Sequence, residues 1–149
     1  MKKIAILLVV AMACGSPKKV GSSESGDSRT QKIVMYNSNT YLLTESTTDS
    51  TYGFTQENPV KVGGVKKSEG PLNERRYLNG LLGPKGEVVK YFRQGSCCAF
   101  DSKNGFMGTG LLDIYSVYWK GSDTFDIYIN MYDEGNLYVP VGFTGIKKD

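Results

Sequence analysis

The chain has 149 residues, with 18 Lys or Arg against 15 Asp or Glu and no histidine. Without histidine there is no Ser-His-Asp or Cys-His nucleophile system, and the commonest zinc ligand is missing. Basic residues form no stripe along the sequence, so nucleic acid is not an expected partner.

The N-terminus has the parts of an export signal. Lys2 and Lys3 precede an uncharged run over residues 4–13, too short for the roughly 20 residues of a membrane-spanning helix. Small residues then lead to Cys14. This pattern resembles the lipobox of bacterial lipoproteins, which predicts cleavage before Cys14 and its modification with diacylglycerol and fatty acids such as palmitate. The alternative is ordinary secretion, with Cys14 left as a free thiol.

The expected mature chain is one domain on a linker. Removing residues 1–13 leaves 136 residues, with 16 basic against 15 acidic side chains. Residues 14–30 are small and polar, which predicts a flexible tether, and residues 31–149 are expected to form a single β-rich domain. Some surface-exposed lipoproteins carry acidic residues after the lipidated cysteine, whereas residues 16–19 here are Ser-Pro-Lys-Lys. The predicted location is therefore the outer membrane, with the domain facing the periplasm.

The domain is rich in residues that favour strands and turns. The clearest alternation of apolar and polar residues is at 124–132, and a second strand at 136–143 is expected to follow a hairpin turn at 133–136. The segment 111–119 is expected to pair with the first of these. Further strands are predicted at 32–36, 41–44, 59–62 and 87–93, with a turn at 103–105.

One segment breaks the alternation of strands. Leu78, Leu81 and Leu82 have helical spacing, Pro71 suits a first helical turn, and Gly83 follows as a terminator. This predicts a short helix over residues 71–82. The expected fold is α+β and mostly antiparallel, with the helix packed on a sheet of five to seven strands.

The sequence supplies no recognisable catalytic, cofactor or metal motif. Its glycine pairs lack the residues that follow in nucleotide-binding loops. Asp113 and Asp126 lie on strands expected to be neighbours and could form a carboxylate pair, although solvated outward positions are the preferred interpretation. No catalytic residue, cofactor or metal is predicted.

Cys97 and Cys98 are the unusual chemical feature. Three interpretations stay open: two structural cysteines, a disulfide between neighbours that fixes a loop, or a redox or metal-binding role. The first is preferred, because consecutive Cα atoms lie closer together than in ordinary disulfides, and because neighbouring side chains of a strand point to opposite faces.

Aromatic residues are the second feature. They are predicted opposite the best apolar stripes and could form an interaction face for a protein or a sugar, although tyrosine is also a common strand residue. The residues of this predicted aromatic row are Tyr115, Trp119, Tyr128 and Tyr132.

The segments 57–64, 73–84, 91–100, 112–113, 130–133 and 140–143, including Gly95-Ser96-Cys97-Cys98, resemble a family of small lipoproteins from Bacteroidota. Some members bear the name 2-dehydro-3-deoxyphosphooctonate aldolase. Such an aldolase resembles a (β/α)8 barrel of about 250 residues, whereas this sequence is shorter and predicts one helix. The resemblance therefore implies a small envelope lipoprotein and not an aldolase.

The sequence thus predicts a membrane-anchored, non-enzymatic accessory or interaction module of the envelope. Its expected partners are the membrane, through the lipid, and envelope proteins or glycans. One alternative is a glycan-binding module that uses the aromatic row. A less favoured one is a thiol-dependent enzyme in which Arg93 lowers the pKa of Cys97 or Cys98.

Overall fold

The computed structural model describes residues 26–148, so the predicted signal segment, Cys14 and most of the predicted tether lie outside the described residues. The expected α+β class with mainly antiparallel strands is confirmed. One helix, α1 (Gly70–Asn79), follows a short 3-10 turn (Val65–Lys67). The strands are β1 (Val34–Asn37), β2 (Thr40–Leu42), β3 (Val60–Lys61), β4 (Leu81–Leu82), β5 (Lys90–Phe106), β6 (Thr109–Tyr118), β7 (Phe125–Asn130) and β8 (Thr144–Gly145).

The strands divide among three sheets and do not form the single sheet that was expected. The main sheet has the order β3-β7-β6-β5, in which β5, β6 and β7 are antiparallel neighbours and β3 adds to the edge in parallel with β7. β1 pairs with β2, and β4 pairs with β8. These two pairs are separate two-stranded sheets, and β2 packs against α1.

One face of the main sheet carries the core. Tyr115 and Val117 of β6 and Ile127 and Ile129 of β7 are at most 4% exposed. The register places Tyr115 opposite Ile127, so their side chains point to the same side. Helix α1 packs there and contributes buried Tyr77 and Leu78, among others. We call this side of the sheet the core face.

The predicted helix over 71–82 is correct in place but wrong at its end. Helix α1 ends at Asn79, and Leu81 and Leu82 form β4. Gly80 explains the boundary: a Cβ atom there would lie 2.6 Å from the carbonyl oxygen of Tyr41. The chain needs a residue without a side chain at this close approach, and it leaves the helix at that point.

The predicted strand at 136–143 is absent. Only Val139 forms a bridge, parallel to Ser46, and the regular pairing of β8 begins later, at Thr144. Pro140 has no N–H to donate to a ladder. The predicted hairpin turn at 133–136 is also wrong, because no strand follows it to pair with β7. Asn136 Oδ1 instead accepts hydrogen bonds from the backbone N–H groups of Thr30 and Gln31, at 2.9 Å each.

The end of the predicted tether belongs to the domain. Arg29 donates from Nε to the carbonyl oxygen of Gly135 at 2.7 Å, and from Nη2 to those of Lys61 and Val62 at 3.1 and 3.0 Å. Arg29, inside the predicted tether, is therefore hydrogen-bonded to the domain. Sequence composition missed this, because the partners of Arg29 are backbone carbonyls.

The hairpin of β5 and β6 is longer than predicted. Strand β5 runs through the predicted turn at 103–105, and the chain reverses instead at Met107 and Gly108, which have φ of 52° and 81°. Positive φ at both central residues is the conformation of a type I′ hairpin turn. We call Phe106 and Met107 the hairpin tip.

Candidate functional site

The side of the main sheet opposite the core face carries exposed aromatic residues. Phe92 lies opposite Ser116, which lies opposite Asp126, and Ile114 lies opposite Tyr128. Directly opposed side chains share a face. We call this side the outer face; its large side chains that are at least partly exposed, none of which belongs to the core cluster, are Phe92, Ile114, Tyr118 and Tyr128.

The centre of the outer face is polar. Gln94 Nε2 donates to Ser116 Oγ at 2.7 Å and to Asp126 Oδ1 at 2.5 Å. Asp126 is thus held on the outer face, while Asp113 lies on the core face and is 3% exposed. The carboxylate pair considered from the sequence is not formed, because its members alternate to opposite sides of the sheet.

The four residues of the predicted aromatic row do not share a surface. Tyr115 is 4% exposed and packs in the core. Trp119 stacks on Phe125 with ring centroids 5.4 Å apart and packs against the same core. Tyr128 is on the outer face, and Tyr132, beyond β7, meets the edge of the Phe100 ring.

The prediction that these four residues share one face failed for a physical reason. Both faces of β6 carry apolar side chains, so alternation alone does not say which face is buried. Phe92 and Tyr118, the residues that sequence reasoning missed, were inside predicted strands. Only the register of three strands brings them beside Tyr128.

A buried carboxylate anchors the middle of β5. Arg93 donates from Nε and Nη2 to the two oxygens of Asp113 at 2.7 and 2.9 Å, and Ser96 Oγ donates to Oδ1 at 2.7 Å. Three charge-assisted hydrogen bonds compensate the burial of the carboxylate. They tie β5 to β6 on the core face.

A second acid lies deeper, on α1. Glu74 is fully buried; its Oε2 accepts a hydrogen bond from Tyr115 Oη at 2.9 Å, and its Oε1 has no partner among residues 26–148. Burial, and next the charge of Asp113, raise the pKa of Glu74 to about 8. The side chain therefore carries a proton at neutral pH.

Cys97 and Cys98 form a disulfide with each other. Their Cα atoms are 3.7 Å apart, and Cys98 has φ of 58° at an irregularity of β5 between Cys97 and Ala99. This is the second of the three interpretations above. Both sulfur atoms are bonded, so neither is a free thiolate, and Arg93 contacts Asp113 and Ser96.

A polar cleft of about 320 Å³ opens between the N-terminal segment, the loop before β3 and the segment after β7. Tyr52 and Tyr138 meet there edge to face with centroids 5.6 Å apart. Asn58 Nδ2 donates to Asp49 Oδ2 at 2.9 Å. Other residues of the lining include Ser28, Thr47, Lys61 and Asn136.

Within the part of the chain that the structure describes, no group of three or more acidic or cysteine side chains is arranged to hold a metal. No helix in residues 26–148 has the length and apolar content to cross a bilayer. No protein-family model, curated protein or solved structure matches the chain. Its fold and surfaces define a small α+β domain with an aromatic sheet face and a polar cleft.

Proposed function

We propose that this protein is an envelope lipoprotein, anchored through Cys14 to the outer membrane and facing the periplasm. Its domain acts as a non-enzymatic accessory or interaction module that binds an envelope protein through the outer face. The signal pattern before Cys14 supports the anchor. The exposed aromatic side chains of the outer face are the observation that carries the binding role.

The composition of the outer face suits protein recognition. Phe92 is 56% exposed, and Tyr118 and Tyr128 are partly exposed beside it. Aromatic side chains supply much of the binding energy of protein interfaces because they bury a large area with few rotatable bonds. The Gln94–Ser116–Asp126 group offers polar contacts at the centre, which would fix the orientation of a partner.

The unusual chemical groups have structural partners, which supports a binding role over catalysis. Asp113 is neutralised by Arg93, and Glu74 is bound by Tyr115 inside the core. The sulfur atoms of Cys97 and Cys98 are joined to each other. We also propose membership of the Bacteroidota lipoprotein family that the sequence resembles. Aldolase activity is not proposed, because the α+β fold is not a (β/α)8 barrel.

The anchor is tested by labelling cells with a radioactive or alkyne-bearing fatty acid. We expect the wild-type chain to be labelled and to sediment with the outer membrane. The Cys14→Ala variant should lose both properties. Persistent labelling of this variant, or an unlabelled wild-type chain, would contradict lipidation at Cys14.

The outer face is tested by affinity capture from solubilised envelopes. The Phe92→Ser/Tyr128→Ser variant should lose a partner that the wild-type chain captures. The matched control is Val141→Ser, since Val141 is 43% exposed and lies outside the outer face. Equal capture by all three proteins, or capture of nothing specific by the wild type, would count against this role.

Glycan binding is a second candidate, and the polar cleft favours it. Asp49, Asn58 and Asn136 offer carboxylate and amide groups for sugar hydroxyls, beside the rings of Tyr52 and Tyr138. A volume of about 320 Å³ is at the lower end of ligand sites. A glycan array should then show binding that Asn58→Ala abolishes and Phe92→Ser leaves intact, whereas binding through surface aromatics predicts the reverse.

The thiol-dependent enzyme is the least favoured alternative, because it requires reduction of the Cys97–Cys98 disulfide. Mass spectrometry after alkylation of the folded, exported protein tests it. Thiols that react without added reductant would support it. Protection of both sulfur atoms until a reductant is added would count against it.

A further inference from the structure

The hairpin tip exposes two large apolar side chains together. Phe106 is 84% exposed and Met107 is 87% exposed, and these are the largest exposed fractions among the large apolar residues of the described chain. They are adjacent at the point where β5 turns into β6. Neither side chain belongs to the core cluster or to the outer face.

The conformation of Met107 adds a second observation. It has φ of 52° in a turn that favours Asn, Asp or Gly at this position. A methionine in the left-handed region is strained, and in this exposed position it gains no packing in return. Fold stability therefore does not explain why an apolar side chain occupies the turn.

The hairpin tip lies where the tether joins the domain. Asn104, two residues before Phe106, donates from Nδ2 to Asp27 Oδ1 at 2.7 Å. Asp27 also accepts a hydrogen bond from the backbone N–H of Glu134 at 3.0 Å. The start of the described chain is therefore fixed beside residues 102–105, which we call the base of the tip. A chain anchored to a membrane at Cys14 would thus enter the domain on the side that carries Phe106 and Met107.

The base of the tip is built to hold its shape. Asp101 and Phe106 both pair with Thr109, so residues 102–105 form an excursion from the ladder. Ser102 Oγ donates to buried Asp133 at 2.6 Å, and the backbone N–H of Ser102 donates to the carbonyl oxygen of Gly108 at 2.9 Å. These bonds present the tip as a fixed projection.

Lysines lie near the tip, together with acidic side chains. Lys66 pairs with Asp27 at 3.4 Å, which places the 3-10 turn and its second lysine, Lys67, beside the base of the tip. Lys103 lies on the excursion itself, two residues after Asp101, and Asp27 and Glu134 are further acids at this end of the molecule. The long aliphatic stems of lysines beside an apolar projection allow their ammonium groups to reach lipid headgroups.

We propose that the hairpin tip inserts into the interface of the membrane that carries the lipid anchor, with Phe106 and Met107 below the headgroups. The inference rests on the anchor proposed above. The domain is then held by two contacts, the acyl chains on Cys14 and the hairpin tip. The chain from Cys14 to Gly26 spans twelve Cα–Cα steps and reaches at most about 40 Å when extended. Since that reach is comparable to the diameter of the domain, the anchor alone would leave its orientation open.

The test uses the full-length, lipidated chain in vesicles of phosphatidylethanolamine and phosphatidylglycerol with brominated acyl chains, which quench tryptophan on contact. Phe106→Trp places a reporter at the tip. Val88→Trp is the matched control, because Val88 is 75% exposed and precedes the other end of the 17-residue strand β5. The signal of the native Trp119 is subtracted by measuring the wild-type chain.

We expect brominated lipid to reduce the added emission of F106W at least twofold and to leave that of V88W within a tenth of its value. Flotation of the same vesicles reports the anchor separately. A chain that floats without quenching of F106W overturns the insertion but not the anchor. Equal quenching of both variants overturns a specific tip contact, and a chain that neither floats nor is quenched overturns both proposals.

Discussion

Glu74 stays protonated in the folded protein at pH values where an exposed glutamate is ionised. In the unfolded chain its pKa returns to the ordinary value of 4.5, whereas in the folded protein it is about 8. Between these values the folded state keeps a proton that the unfolded state has released. The stability that this group contributes is therefore greatest below pH 4.5 and declines as the pH rises to about 8.

The first prediction concerns this decline. The Glu74→Gln variant has no titrating group at the site, so its free energy of unfolding should lose a few kcal/mol less than that of the wild type between pH 4.5 and 8. Urea unfolding at several pH values measures the difference. Glu57→Gln, which changes an exposed glutamate, is the control and should follow the wild-type curve. Parallel curves for all three proteins would show that Glu74 does not titrate in this range.

The second prediction concerns Arg93 and Asp113. Removing the guanidinium in Arg93→Ala leaves a carboxylate that is 4% exposed without its counterion. We expect a loss of about 2–3 kcal/mol in the free energy of unfolding, less than for a fully buried pair, because the Arg93 side chain is 47% exposed. Chemical denaturation measures it, with Arg75→Ala as the control at an exposed arginine.

A double-variant cycle separates charge from packing at this site. In Arg93→Ala/Asp113→Asn the buried side chain is neutral, so part of the lost stability should return. If the double variant regains no stability over Arg93→Ala, an unpaired charge on Asp113 is not what destabilises the single variant.

At the scale of elements, the third prediction concerns the N-terminal segment. Arg29 donates to three backbone carbonyls, and its side chain is 14% exposed. The Arg29→Ala variant should lose about 2–3 kcal/mol, because these carbonyls would lose a charged donor. Hydrogen exchange at the amides of residues 28–31 and 134–137 should rise together. Lys32→Ala, at an exposed position, should change neither property. Unchanged exchange in Arg29→Ala would show that the hydrogen bonds of Arg29 do not hold these segments together.

Elements that depend on local pattern were predictable. Ile127 and Ile129 alternate in β7 and are buried, and Pro71 and Leu78 did mark a helix, although Leu81 and Leu82 belong to β4. Elements that depend on distant partners were not. The apolar residues Leu137 and Val139 alternate as a strand would and are buried, yet their segment lies against the N-terminal residues and Glu45 without forming a ladder.

The candidate site was predictable only in part, for the same reason. The sequence identified Cys97, Cys98 and Tyr128 as unusual or exposed, but the outer face is assembled from β5, β6 and β7. Register decides which residues meet, and a shift by one residue would exchange its two faces. Glu74 gave no signal in the sequence, since nothing local distinguishes it from an exposed helical glutamate.

At the scale of the whole molecule, hydrogen bonds join segments that lie far apart in the sequence. Gln31 Oε1 accepts from the backbone N–H of Leu137 at 2.9 Å, and β8 pairs with β4 across more than 60 residues. The fourth prediction is a single cooperative unfolding transition. Thermal curves from far-ultraviolet circular dichroism and from the fluorescence of Trp119, the one tryptophan of the chain, should coincide. Separate midpoints would indicate parts that unfold independently.

Under the proposed anchoring, copies of the protein would share one membrane, and the irregular course of β5 then has a consequence for them. Molecules confined to a surface meet each other far more often than in solution, and a long free strand edge would let them join into fibres. The ladder of β5 is interrupted three times, leaving regular runs only at 90–93, 95–97 and 99–101. Each run is too short to template a neighbouring strand. If the chain is anchored as proposed, the interruptions would let copies lie densely on a membrane without joining into fibres.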